Sequence, residues 1–389
     1  HNFLARLLFL CFFLSCNVMS ASTNELTLTS NEDFRIPLGA YVSTYEDTSS
    51  EISVDDAITL IENSEFKDHE SNSLQFGFTK SSMWLTTTIT NKTESSISSN
   101  LEVNYPPLAV IDIYLVNQDG SIQTYFELGS SVPYKSRPIA SRNHVAPLEL
   151  AANSYFQLLV RVKSGGSVSA PMYLSTSRAL LEHEHFYHIA MGMFYGLALG
   201  LIIYNLFLFL IVREKMYLQY VLYALGYSLT MASIDGLLHQ FWPNSPIWES
   251  RSLFFFSWFS GSFLCLFIRS MLQTKTQAPK CDKVLLAFFF LSIVFCVLSL
   301  FIDTSIIGKI NAIVTTPLIL TVFSITIIRL LQGYRAAIYF VVGIGAFTIG
   351  LLAVIAGAMN LHAYYEQTAS ILKVAEAIEM VMFAIALAQ

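Results

Sequence analysis

Residues 188–212 read HIAMGMFYGLALGLIIYNLFLFLIV, with no Asp, Glu, Lys or Arg. A helix rises about 1.5 Å per residue and a bilayer's hydrocarbon core is about 30 Å thick, so roughly 20 apolar residues cross it. Cutting the rest of 188–388 at its charges and turn residues gives six more such stretches, 217–237, 252–272, 284–303, 306–328, 337–359 and 369–388. The chain is 54% hydrophobic and only 13% charged, too little polar surface for a soluble two-domain protein. The expected fold is therefore a multi-domain membrane protein with an all-α bundle of seven transmembrane helices over 188–388.

Working back from the bundle, residues 177–187, SRALLEHEHFY, form a polar neck of helical pattern with no breaker before the first span. Residues 25–176 are rich in Ser, Thr and Asn, and their apolar residues alternate. Strands are predicted at 74–78, 82–90, 97–104, 110–116, 121–128, 143–149, 155–163 and 171–175, separated by turn signals such as Pro106-Pro107 and Gln118-Asp119-Gly120. About eight short strands at this spacing predict an all-β sandwich or jelly roll. One helix interrupts them, with Ser53 as its cap, Asp56 three residues on, and Val54, Ala57, Ile58 and Ile61 on one face.

Residues 1–22 have the pattern of a signal peptide, an apolar run with Arg6 near its start and small residues at Ser20 to Ser22. That places 25–176 outside the cytoplasm. The positive charges agree. With the N-terminus outside, the inner loops carry Arg213, Lys215, Arg269, Lys275, Lys280, Lys283, Arg329 and Arg335, against Arg251 and Lys309 outside. No cysteine lies between 17 and 264, so the exported region contains no disulfide; Cys265, Cys281 and Cys296 read as packing residues.

Several membrane features carry a resemblance. Gly192 and Gly196 precede Tyr204-Asn205, and Arg213-Glu214 is followed by Tyr217-Leu218 and Tyr220. The second span closes with Gly236 and Trp242-Pro243 follows it, and Glu379-Met380 precedes Ala384-Ile385-Ala386-Leu387-Ala388. Together they resemble the bacterial seven-transmembrane receptors with diverse intracellular signalling modules. The exported part is similar to that family's second type of extracellular domain, a jelly roll akin to carbohydrate-binding modules. The matching residues are Leu38-Gly39, Tyr41, Asp47, Phe76-Gly77, Trp84, Asn91, Tyr105-Pro106, Asp112, Tyr114, Gly129, Arg137-Pro138, Arg142 and Arg161. The resemblance implies an inner-membrane receptor with a periplasmic sensor, a cytoplasmic C-terminus and signalling as a homodimer. It also implies a cytoplasmic effector module, of diguanylate cyclase or histidine kinase type, beyond Gln389 or on a partner.

Residue chemistry nominates Trp84, Arg137, Arg142, His144 and Arg161 as ligand-binding, because aromatic faces stack on sugars and guanidinium forks bind carboxylates or hydroxyls. The competing reading of Trp84 is a core residue of an apolar strand. The expected ligand is an extracytoplasmic small molecule, a carbohydrate or an envelope partner. In the bundle, Glu379 falls near mid-span, where a carboxylate is costly, and Asn205 is a candidate polar partner for transmembrane signalling. Asp235 is expected to face the membrane boundary.

Lys373 occupies the span where retinal proteins carry a Schiff base, but it lies near the outer end and reads as a snorkelling residue or a partner of Glu376. His183, Glu184, His185 and His188 miss the H-E-x-x-H spacing by one residue, so no metal site is expected. No catalytic residues, cofactor or nucleic-acid contacts are expected, and the remaining partner is membrane lipid. Two other classes compete with the receptor reading. A transport-associated protein with a periplasmic substrate-binding domain would need paired charges or broken helices near the midplane, and Pro317 is the only proline deep in a span. A carbohydrate-active enzyme would need two facing carboxylates, for which Asp47 and Asp112 are the available pair.

Overall fold

The structure is a computed structural model that describes residues 25–69, 74–358 and 365–388. The signal peptide expected over 1–22 lies outside the described residues. The strands are β1 (Glu25–Leu28), β2 (Arg35–Pro37), β3 (Ser43–Asp47), β4 (Lys67–Asp68), β5 (Gln75–Phe78), β6 (Ser82–Asn91), β7 (Ile97–Val103), β8 (Val110–Val116), β9 (Ile122–Leu128), β10 (His144–Leu150), β11 (Ser154–Lys163), β12 (Ser167–Ser169) and β13 (Met172–Ser175). One sheet runs β4-β3-β6-β11-β8-β9, with β1 added parallel to β6. The facing sheet runs β10-β7-β13-β2, and β12 pairs with β5 in a small ribbon.

Strand β6 explains the layering. Its odd residues Met83, Leu85 and Ile89 point between the sheets, where they meet Leu101, Val103, Leu148 and Leu174. Its even residue Trp84 faces the other way and is closed over by helix α1 (Val54–Glu62). The cap of α1 is reciprocal: Asp56 N–H donates to Ser53 Oγ and Ser53 N–H donates to Asp56 Oδ2, both at 3.2 Å. Val54, Ala57, Ile58 and Ile61 then lie on Trp84 and Leu159.

The strands that the alternation rule misses, β1 to β4 and β12, are short and mostly polar. Each is too brief to show a period, and pairing sets its place, with Leu26, Leu28 and Val168 adding apolar contacts to the core. Asn91 is fully buried and donates to the carbonyls of Leu150 and Ala151 at 3.0 Å, which ties the end of β6 to the β10–β11 turn.

The bundle is made of α2 (Ser177–Val212), α3 (Lys215–Ile234), α4 (Pro246–Met271), α5 (Pro279–Leu298), α6 (Thr304–Leu331), α7 (Ala337–Ala358) and α8 (Tyr365–Leu387). Neck and first span are a single helix of 36 residues, capped where Thr176 Oγ1 accepts from Ala179 N–H. By length and apolar character alone, α2, α4, α5, α6 and α7 are able to cross a membrane.

Helices α3 and α8 are more polar because they line each other in the interior. Tyr220 donates to the Met380 carbonyl at 3.0 Å, and Tyr223 donates to Glu376 at 3.3 Å. Helix α7 closes on α8 through glycines. A Cβ at Gly343 would meet Glu379 Cα at 3.2 Å, and one at Gly350 would meet Ala375 Cβ at 3.0 Å. Close backbone approach of this kind is how helices associate where lipid offers no hydrophobic driving force.

Candidate functional site: the seam between sandwich and bundle

The sandwich is seated on the outer end of the bundle. Gly236 ends α3 with φ +75°, and a Cβ there would lie 2.5 Å from the Arg142 carbonyl and 2.8 Å from Pro106. Only glycine fits both the backbone angle and the space. Beyond it, Tyr134 N–H of the sandwich donates to the Pro243 carbonyl at 3.0 Å.

An ion-pair and hydrogen-bond network crosses this seam. Arg142 of the sandwich meets Glu184 of α2 at 3.3 Å, and its guanidinium lies 3.5 Å from the centre of the Tyr187 ring. The arginine is buried, so its contact with the Tyr187 ring is made away from water, and losing either member of the ion pair would leave the other as an uncompensated buried charge. Glu184 also lies 3.5 Å from His188, one turn on. Tyr187 donates to Asp235 Oδ1 at 3.0 Å, and Tyr195 donates to Asp235 Oδ2 at 2.6 Å. Lys373 of α8 completes the carboxylate's shell at 2.6 Å and donates to the Tyr187 hydroxyl, also at 2.6 Å.

Asp235 is 3% exposed and accepts from three donors, which suits an ionised carboxylate. The network therefore joins the sandwich to the first, second and last helices without a gap. One turn further along α8, Glu376 receives Tyr223 and Tyr227, and Glu379 lies against Glu376 and Tyr223.

A second cluster flanks the first. His144 Nε2 bonds the Pro106 carbonyl at 3.1 Å, and its ring meets that of His239 edge-on at 6.5 Å. His239 Nδ1 lies 3.0 Å from Glu249, whose other oxygen accepts from Trp242 Nε1. Arg137 is buried beside them, donating to the Ser141 carbonyl at 3.1 Å. Burial, with the Arg137 charge adding to it, holds His144 well below its ordinary value and His239 down to about 3. Both imidazoles are thus neutral at neutral pH. Burial lowers Arg137 only to about 10, so it stays charged.

Of the residues nominated from the sequence, Arg137, Arg142 and His144 come together at this seam instead of lining an open groove on the sandwich. Trp84 does not join them: it is 1% exposed, stacked on Tyr114 at 6.2 Å under α1. Arg161 is engaged by Asp112 at 2.7 Å, above Trp84. Asp112 is thereby neutralised, and Asp47 caps the 49–52 turn through Ser49, Ser50 and Ile52, so the two do not face each other as an acid pair.

In the bundle, Asn205 is buried but donates to the Leu201 carbonyl of its own helix at 2.9 Å, and no hydrogen bond joins it to Glu379 among the described residues. Lys373 pairs with Asp235 and not with Glu376, so the snorkelling reading and the boundary-facing reading of Asp235 are both corrected. Two opposite charges at the same depth of different spans were the available signal.

Residues 187–389 match the family model described as 7TM diverse intracellular signalling, and residues 39–176 match 7TMR-DISM extracellular 2. No curated protein matches the chain.

Proposed function

Because the chain belongs to the 7TM diverse intracellular signalling family of receptors with an extracellular domain, we propose that it senses an extracytoplasmic small molecule or envelope partner and relays that event through α8 to a cytoplasmic signalling module. The membrane concerned is the bacterial inner membrane, with the sandwich in the periplasm and the end of α8 in the cytoplasm. The module is of diguanylate cyclase or histidine kinase type, and the working unit is a homodimer.

The observation that supports this reading is the unbroken path Arg142–Glu184/Tyr187–Asp235–Lys373. A ligand shifts an equilibrium only by its differential affinity for two states. A seam made of buried ion pairs supplies such states, since small displacements of the sandwich make or break contacts worth a few kcal/mol each, about 3–5 for a buried pair losing one partner. Arg142 registers the sandwich's position, and Lys373 registers it on the helix that leads inward.

The test is a chimera with a diguanylate cyclase module joined after Gln389, assayed for cyclic dinucleotide formation. Arg142→Met and Lys373→Met should each move the output away from the parent level, in the same direction. Equal output from all three proteins would sink the relay.

A further inference from the structure

Helices α5 and α6 follow each other in the chain but lean on different neighbours, α5 on α4 and α6 on α7. A groove of about 520 Å³ is left between them on the outside of the bundle. Lys280 and Val284 of α5 wall one side, and Pro317, Leu320, Ser324 and Ile328 of α6 wall the other. Val284, Leu320 and Ile328 are exposed apolar residues, and Ser324 Oγ is spent within its own helix on the Leu320 carbonyl at 2.7 Å. From Ile328 to Pro317 the groove follows α6 for about 16 Å at the helical rise of about 1.5 Å per residue. That is about half of a hydrocarbon core roughly 30 Å thick, the depth of one leaflet.

The mouth of the groove is basic. Lys280 lies in the first turn of α5, Lys283 follows three residues on, and Lys275 precedes both; all three are exposed. Neither Lys280 nor Lys283 has an ion-pair partner among the described residues. The one carboxylate between Arg269 and Lys283 is Asp282, which is buried and matched by Arg269 at 2.7 Å and Thr274 at 2.9 Å. No Asp or Glu occurs between 317 and 335. Positive charge that the protein leaves unneutralised therefore stands over a slot that is mainly apolar for the depth of one leaflet. An anionic headgroup carried on an acyl chain complements both parts. A free anion would use the lysines and leave the apolar walls uncovered, and a zwitterionic headgroup would bring its own cation up against the lysines.

We propose that the groove between α5 and α6 binds one anionic phospholipid, with its phosphate among Lys275, Lys280 and Lys283 and one acyl chain along the wall from Ile328 to Pro317. Seated there, the lipid ties together two helices that the protein itself leaves apart. The inference stands apart from the receptor reading, since it needs only that the bundle lies in a bilayer.

The experiment is native mass spectrometry of the full chain in uncharged detergent, titrated with phosphatidylglycerol, with phosphatidylcholine of the same chains, and with glycerol phosphate as the headgroup alone. Phosphatidylglycerol should bind first, one molecule per chain, with a Kd at least tenfold below that of phosphatidylcholine. Lys280→Gln combined with Lys283→Gln should reduce that preference tenfold or more, at about fivefold for each basic side chain near an anionic surface. Lys215→Gln, an exposed lysine outside the groove, should leave it unchanged. Ser324→Phe fills the slot and should weaken binding of phosphatidylglycerol tenfold or more while helical circular dichroism holds; if that variant fails to fold, the exposed lysine pair still decides the site. Equal Kd values for the two lipids overturn the charge selection, and a preference retained in the lysine variant overturns the location. Undiminished binding to folded Ser324→Phe overturns the seat of the chain, and glycerol phosphate binding as tightly as the lipid reduces the groove to a free-anion site and overturns the proposal. None of these readouts involves the output of the chimera, so failure here and failure of the relay are distinguishable.

Discussion

The Asp235–Lys373 pair gives the sharpest energetic prediction. Asp235→Asn removes the charge that holds Lys373, leaving an ammonium group, 14% exposed, against one tyrosine hydroxyl. Removing one member of a buried pair costs about 3–5 kcal/mol because the other charge is left uncompensated. Lys373→Met leaves Asp235 with the Tyr187 and Tyr195 hydroxyls, so the carboxylate keeps two of its three donors. That loss should be smaller, about 2–3 kcal/mol, typical of hydrogen bonds to a charged group.

The double variant carries neither charge. It should be more stable than Asp235→Asn alone, with a coupling of about 3 kcal/mol between the sites, at the upper end of what contacting residues show. The assay is equilibrium unfolding of the full chain in mixed micelles, followed by helical circular dichroism, for all four members of the cycle. Losses that add to within about 0.5 kcal/mol would refute the pairing, since that is the behaviour of independent sites.

Three further outcomes follow from the same contacts. His144 and His239 are held neutral by burial beside Arg137, so their folded values lie below the ordinary 6.5. Each imidazole taken alone loses stability as pH drops below 6.5, His239 by about 2 kcal/mol between pH 7.5 and 5, whereas Glu249 against it, raised by burial to about 7, gains a similar amount as it takes up a proton over the same range; Glu249→Gln should therefore give an unfolding midpoint that falls as pH drops, and His239→Asn one that rises. Trp84→Ala should destabilise the sandwich by about 3–5 kcal/mol, as loss of a buried aromatic does, seen as a lower midpoint in the sandwich's near-ultraviolet signal. Gly350→Val should force α7 away from α8, at a cost of about 1–3 kcal/mol for overpacking, read by the same micelle unfolding assay; Gly200→Val, where a Cβ meets nothing within 4 Å, is the control.

The parts of this architecture that were legible in the sequence are those encoded by periodicity. Alternation located eight of the strands, β5 to β11 and β13, and apolar length located the seven helices, including α3 and α8, whose polar residues lower their hydropathy. The Ser53–Asp56 cap was legible because both partners lie within one turn. What alternation does not report is what covers the outer face of a sheet. Trp84 and Arg142 both look available in a strand-and-loop reading, yet α1 covers one and α2 the other. The short strands β1 to β4 escaped because each is too brief to show a period and is placed by pairing, β1 and β3 on β6, β2 on β13 and β4 on β3. The seam was hidden because its members are distant: Arg142, Asp235 and Lys373 are separated by 93 and 138 residues, and only depth and charge sign connect them in advance.

The central claim is that the sandwich's hold on the bundle is felt at the inner end of α8. The most direct measurement is a spin-label distance distribution between positions 332 and 388, with Cys265, Cys281 and Cys296 replaced by alanine, in the full chain reconstituted in lipid nanodiscs. Breaking the seam with Arg142→Met should shift or broaden that distribution, and Lys373→Met should change it in the same sense. A distribution that stays superimposable on the parent's in both variants would contradict the account.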